Sequence, residues 1–208
     1  MKARIWLAIA GLSWVAAALP AATEETATND LKYVGVDGCR DCHKKKSKGA
    51  QYQAWTQDPH AQAWVTLGTP EAAAVAERAN VTGDPREAPQ CLECHVTGAG
   101  EPADLTGKID AKNGVGCESC HGAGEKYANR KAMEAIFHGD LDPFRVGLTF
   151  PSEDVCLRCH NDRSPTFAGF DYDTAAEKIA HPQPESLEAT RRPRDARQAP
   201  QSLDWDDE

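Results

Sequence analysis

The sequence predicts a mainly α-helical fold with much irregular structure, in which short helices wrap around several large groups that are not protein. Three observations predict it. The pattern Cys-x-x-Cys-His occurs four times in 208 residues, ending at His43, His95, His121 and His160. About 185 residues remain once the first 22 are set aside, fewer than fifty per copy, too few for conventional aliphatic layers. Aromatic residues make up 7% of the chain, too little for a large stacked core, so something else has to fill the interior.

The motif says what that is. Two thiols at this spacing can carry the two thioether bonds of a c-type haem, and the next residue then falls on the haem face as an axial iron ligand. All eight cysteines are used this way: Cys39 and Cys42, Cys91 and Cys94, Cys117 and Cys120, Cys156 and Cys159. The same spacing serves tetrahedral zinc and thioredoxin-like chemistry, while disulfides there would close only tiny loops. The following residue separates the readings. Of seven histidines in the chain, four fill that one position, which neither zinc nor thiol chemistry asks for. The expectation is four covalently attached haem c groups, with His43, His95, His121 and His160 on the irons. The fold class is then a compact multihaem cytochrome c, short helices built around four haems.

Taken in order, residues 1–22 have the form of a signal peptide. Lys2 and Arg4 precede an apolar run from Ile5 to Leu19, and small residues at Ala16 to Ala18 or Ala21 and Ala22 offer cleavage sites. The run is too short for a confident membrane span. A periplasmic mature protein without a membrane span is expected, and export fits the cysteines because haem c is attached on the outer side of the bacterial inner membrane. Its charge, −9 for the whole chain, becomes −11 without Lys2 and Arg4, which disfavours nucleic acid as a partner. Residues 23–37 form a polar lead, 38–182 the four-haem domain, and 183–208 an acidic tail expected to be disordered, being rich in Pro, Gln, Glu, Arg and Asp.

Within the domain, Lys44, Lys45, Lys46 and Lys48 form one dense basic run, read as solvated surface or as a docking patch beside the first motif. Residues 49–67 have helical character, broken at Asp58-Pro59, where Asp58 suits an N-cap and Pro59 the first helical position. His60 then lies in the first turn of a new helix. Thr69-Pro70-Glu71 starts another, running to about Ala79, and a loop over 80–90 leads to the second motif. Residues 96–116 are glycine-rich and irregular. The third motif continues through Gly122 and Gly124 into a helix from about Glu125 to Phe137, closed by His138-Gly139. A loop over 141–154 precedes the fourth motif. Thr174-Ala175-Ala176-Glu177 has the form of a capping box for a last helix ending at His181, since Pro182 cannot continue it.

Four irons have eight axial positions, and the motif histidines fill four. Only His60, His138 and His181 remain, so one iron lacks a second histidine. Met133 sits five residues before His138 on the same expected helix, well apart around its axis, and is read as packing.

The chain resembles the cytochrome c-554 family of tetrahaem cytochromes. The resemblance is carried by Trp55-Thr56 with His60-Ala61, by the block from Gly114 to Gly122 around the third motif, by a histidine one helix later, by Ser164-Pro165, and by a last helix ending in histidine. It covers roughly 38–181. The resemblance implies three bis-histidine haems, with His138 on the first, His60 on the third and His181 on the fourth, and a five-coordinate second haem held by Cys91, Cys94 and His95. It further implies an electron carrier between a redox-protein donor and acceptor, the donor being a hydroxylamine-oxidising enzyme. The alternative is a reductase acting on nitric oxide or a similar small ligand at the open second haem, where Glu93 is the nearest acid and is expected to be solvated.

Overall fold

Glycine, proline and short capping side chains interrupt this chain so often that no helix among the described residues exceeds nine residues. The computed structural model describes residues 30–182; the expected signal peptide and acidic tail lie outside them. The helices are α1 (Gly35–His43), α2 (Gln51–Thr56), α3 (Ala63–Thr66), α4 (Pro70–Arg78), α5 (Pro89–His95), α6 (Ala103–Thr106), α7 (Cys117–His121), α8 (Arg130–His138), α9 (Glu153–Leu157) and α10 (Tyr172–Ile179). Single 3₁₀ turns occur at Lys46–Lys48, Pro59–Gln62, Ala111–Asn113 and Pro143–Val146, and no β-strand occurs among the described residues.

Several boundaries follow from the caps that the sequence shows. The Asp58 carboxylate accepts from the His60 main chain at 2.9 Å, with Pro59 next to it. The Thr69 hydroxyl accepts from Ala72 N and opens α4. Two expected starts are corrected. Helix α8 begins at Arg130, not near Glu125, because Gly124 N–H is committed to Glu118 and Lys32 pairs with Glu125 through both chain and carboxylate. Asn129 then caps the helix. Helix α10 is capped by Asp171, whose carboxylate accepts from Thr174 N at 3.0 Å, so Thr174 lies inside the helix. That helix ends at Ile179, two residues before His181, since proline disfavours helical geometry in the residue preceding it. Residues 96–116 and 141–152 are irregular apart from α6 and two 3₁₀ turns, and α9 begins at Glu153, inside the loop expected over 141–154.

The buried apolar residues are Val36, Ala61, Leu67, Ala76, Ala88, Ala123, Tyr127 and Leu148; half are alanine, and no large side chain among the described residues is fully buried. Protein interiors are ordinarily close-packed, so these side chains do not fill the interior by themselves. Helix α1 packs on α7 and α3 on α5, which sets the first motif against the third and the second against the segment carrying His60.

Candidate cofactor site

Three motifs end their helices: α1, α5 and α7 each stop at the motif histidine, whereas α9 stops at Leu157 and leaves Cys159 and His160 in the following turn. Helical spacing puts the two cysteines of a motif on one face with the histidine one position further round. The thiols are half-buried, Cys42 is exposed, and none is in a disulfide.

The motifs touch in a definite order. The Cys39 and Cys117 thiols lie close enough to interact, joining the first motif to the third. Cys120 lies within electrostatic range of Cys156, and the Arg158 guanidinium donates to Ser119 O, joining the third to the fourth. The Cys159 thiol donates to Glu93 O at 4.0 Å and lies within electrostatic range of Cys94, and Arg163 pairs with Glu93 at 3.5 Å, joining the fourth to the second. The spatial order is first, third, fourth, second. Glu93, expected to be solvated, is half exposed but paired.

The first junction is held by Glu118, a residue that looks like a spacer inside its motif. It is 4% exposed, and its carboxylate accepts from Val34 N, Gly35 N and Gly124 N at 2.7–2.9 Å. Buried Tyr127 donates to the Gly122 carbonyl and closes the same motif from below. Ahead of the motif, Gly114 has φ +60°, and a Cβ there would meet the His60 carbonyl at 2.6 Å. Val115 N donates to that carbonyl, and the Trp55 indole donates to Val115 O. The glycine-rich lead therefore runs against His60 itself.

Four histidines have Nδ1 in a hydrogen bond: His43 with Gln51 Oε1 (3.1 Å), His95 with Ala63 O (2.8 Å), His121 with Thr149 O (3.0 Å) and His60 with Asp58 Oδ1 (2.8 Å). The Gln51 amide nitrogen donates to Lys48 O and Pro182 O, which leaves its oxygen facing His43. Carbonyl oxygens can only accept, so Nδ1 carries the proton and Nε2 keeps a lone pair, the arrangement of a metal-ligating imidazole. None of these partners except Asp58 was singled out by the sequence, since three are amide or main-chain oxygens with no residue-type signature.

Two histidine pairs face each other across the motifs. His60 and His160 have ring centres 5.9 Å apart, and His121 and His181 are 6.1 Å apart. Two metal–imidazole bonds of about 2.0–2.1 Å each, with the ring radii added, span about 6 Å. These neighbours differ from the pairing that the resemblance implies: the His60 ring lies by His160 of the fourth motif and the His181 ring by His121 of the third. Their sequence separations of 100 and 60 residues carry no information about partners. His138, which the resemblance sets on the first motif, packs its ring on Phe137 instead of His43. Its helix nevertheless runs beside that motif, because Arg130 feels Cys42 and Glu134 feels Lys48. No histidine ring lies against His95 among the described residues.

The residues present fit haem c. Burial pushes His121 and His160 below the usual histidine range, keeping the neutral, ligating form. His181 Nδ1 is buried with no protein partner. Burial also pushes the Cys91, Cys120 and Cys156 thiols up and Cys159 to about 11, the opposite of what thioredoxin-like attack needs, whereas the neighbouring Cys39 thiol holds Cys117 below the usual thiol range.

Comparison with known proteins points the same way. The family model for cytochrome c554 and c-prime matches residues 38–122, which include the first three motifs. Cytochrome c-554 of Nitrosomonas europaea is 31% identical over 160 residues, 70% of this chain, and the chain spans 65% of that relative's length. The solved structure of reduced cytochrome c554 from Nitrosomonas europaea is similar at a TM-score of 0.50 and 28% identity, over 72% of this chain and 78% of that one.

Proposed function

This chain belongs to the cytochrome c-554 family, and on that premise we propose that it is an exported electron carrier with four covalent haem c groups, working between a redox-protein donor and acceptor. Cys39 with Cys42, Cys91 with Cys94, Cys117 with Cys120 and Cys156 with Cys159 hold the macrocycles, and His43, His95, His121 and His160 ligate the irons. His181 completes the third site, His60 the fourth, and His138 the first. Bound haem c supplies reversible one-electron storage, with its potential set by ligation, burial and nearby charge.

The opposed histidine pairs carry this reading. A ring on each side leaves no position for a substrate, which suits a centre that changes only its oxidation state. The order of contacts places the first motif at one end of the row, next to the basic run. Lys44 pairs with Asp41 at 2.9 Å, and Lys45, Lys46 and Lys48 project around the 3₁₀ turn beside it. This patch is where an acidic partner docks, and a hydroxylamine-oxidising enzyme is the class of donor the family suggests. Export rests on residues 1–22; no helix among the described residues is long and apolar enough to cross a membrane.

A second reading is reduction of nitric oxide, or a similar small ligand, at the second site. It is favoured by the absence of a histidine ring against His95. Electron paramagnetic resonance of the oxidised protein, with haem content measured alongside, tests both. Four haems with one high-spin signal are expected. Fewer than four haems would sink the first reading, and four low-spin haems would sink the second. Replacing Lys44, Lys45 and Lys46 with glutamate should slow reduction by the donor and flatten its salt dependence; an unchanged rate removes the patch from docking.

A further inference from the structure

Three of the four tethered histidines lean on neutral oxygens, and the fourth leans on a charge. Gln51, Ala63 and Thr149 offer an amide or main-chain carbonyl to His43, His95 and His121, whereas His60 meets the Asp58 carboxylate at 2.8 Å. The Asp58 side chain is only 16% exposed against 32% for His60, and its one salt-bridge partner among the described residues is that ring. The same Oδ1 caps the Pro59–Gln62 turn by accepting His60 N at 2.9 Å. A cap alone needs no charge, since serine, threonine or asparagine serves equally. The ring centres of His60 and His160 stand 5.9 Å apart.

We propose that Asp58 is a positioning residue that sets the potential of the fourth haem through His60, making that site the lowest in potential of the three sites with two histidines. The proposal rests on the haem reading given above. A carboxylate behind a ligating imidazole fixes the ring and raises its basicity. A more basic ligand stabilises the more highly charged ferric iron and lowers the reduction potential, one of the levers the protein holds over a haem. Neutral carbonyls behind His43 and His121 act in the same direction but more weakly, because charge-assisted hydrogen bonds are roughly twice as strong. The contact order then puts the most reducing site directly beside the second motif, where His95 stands without a facing ring.

The test is a spectroelectrochemical titration of the haem-loaded full chain with Asp58→Asn, Asp58→Ser and His60→Ala. Asp58→Asn keeps an oxygen that can cap the turn and face the ring but removes the charge. The lowest of the three midpoints that belong to low-spin haems is expected to rise, with ferric preference falling on the order of tenfold, about 59 mV for a one-electron couple. Asp58→Ser keeps the cap and withdraws from the ring, and should raise the same midpoint at least as far, while Asp58→Glu should recover part of the shift. The midpoint that moves has to be the one lost in His60→Ala, which gains a high-spin signal. Four unchanged midpoints in Asp58→Asn overturn the proposal and leave Asp58 a cap. If His60→Ala gains no high-spin signal, the ligand reading itself falls, and the proposal with it.

Discussion

The junction between the first and third motifs and that between the second and fourth join the same kinds of residue by different means. At the first, a buried carboxylate takes three main-chain N–H groups, and helix α1 lies on α7. At the second, an exposed ion pair of 3.5 Å, its side chains 62% and 51% exposed, spans Arg163 and Glu93 beside the Cys94–Cys159 contact. A main-chain N–H buried without an acceptor costs much more than a solvated ion pair returns. The polypeptide therefore determines the first junction, whereas the second is left to whatever fills the space beside it.

The largest effect that sharpens this contrast is all-or-none. His181→Ala should add one high-spin haem at the third site and His60→Ala one at the fourth, each read by electron paramagnetic resonance. An unchanged spin state removes that residue from the ligand set. Next comes Glu118→Ala, which strands two buried donors and one half-buried donor at about 1–3 kcal/mol each. A loss of at least about 3 kcal/mol is expected in denaturant unfolding of the loaded protein, and a loss below about 1 kcal/mol would place the strength of that junction elsewhere. Gly114→Ala forces a Cβ to within 2.6 Å of the His60 carbonyl at φ +60°, at a cost of about 1–3 kcal/mol. Thermal unfolding should report it, together with a perturbed signal from the fourth site. The smallest effect is Arg163→Ala, expected within about 1 kcal/mol. Were it to cost more than Glu118→Ala, the comparison would be inverted.

What could be seen in the sequence follows from how local the chemistry is. Thioether attachment needs two thiols and a histidine within five consecutive residues, so those positions are legible at sight. Caps are local too, which is why Asp58 and Thr69 were readable, although Asp171 outranked Thr174 because an equally good cap stood three residues earlier. The pairing of His60 with His160 and of His121 with His181 depends on how loops return across the whole domain, and resemblance assigned the two the other way round. Glu118 was invisible for a different reason. Any residue can occupy that place in a Cys-x-x-Cys-His motif, and only the fold brings Val34, Gly35 and Gly124 to its carboxylate. The shortage of side-chain core was legible from composition, and the alanine-rich set of buried residues agrees with it.

The contact between Cys39 and Cys117 also constrains how the protein is made. These thiols come from positions 78 residues apart, yet they lie close enough to interact in the folded chain. In the oxidising compartment proposed for this protein, a chain that folded bare would be one oxidation away from a long-range crosslink that blocks two attachment sites at once. On the proposed haem attachment, maturation would run ahead of folding: each sulfur would be capped by its macrocycle while the motifs are still separate, and the closure of α1 on α7 would seal an already modified chain.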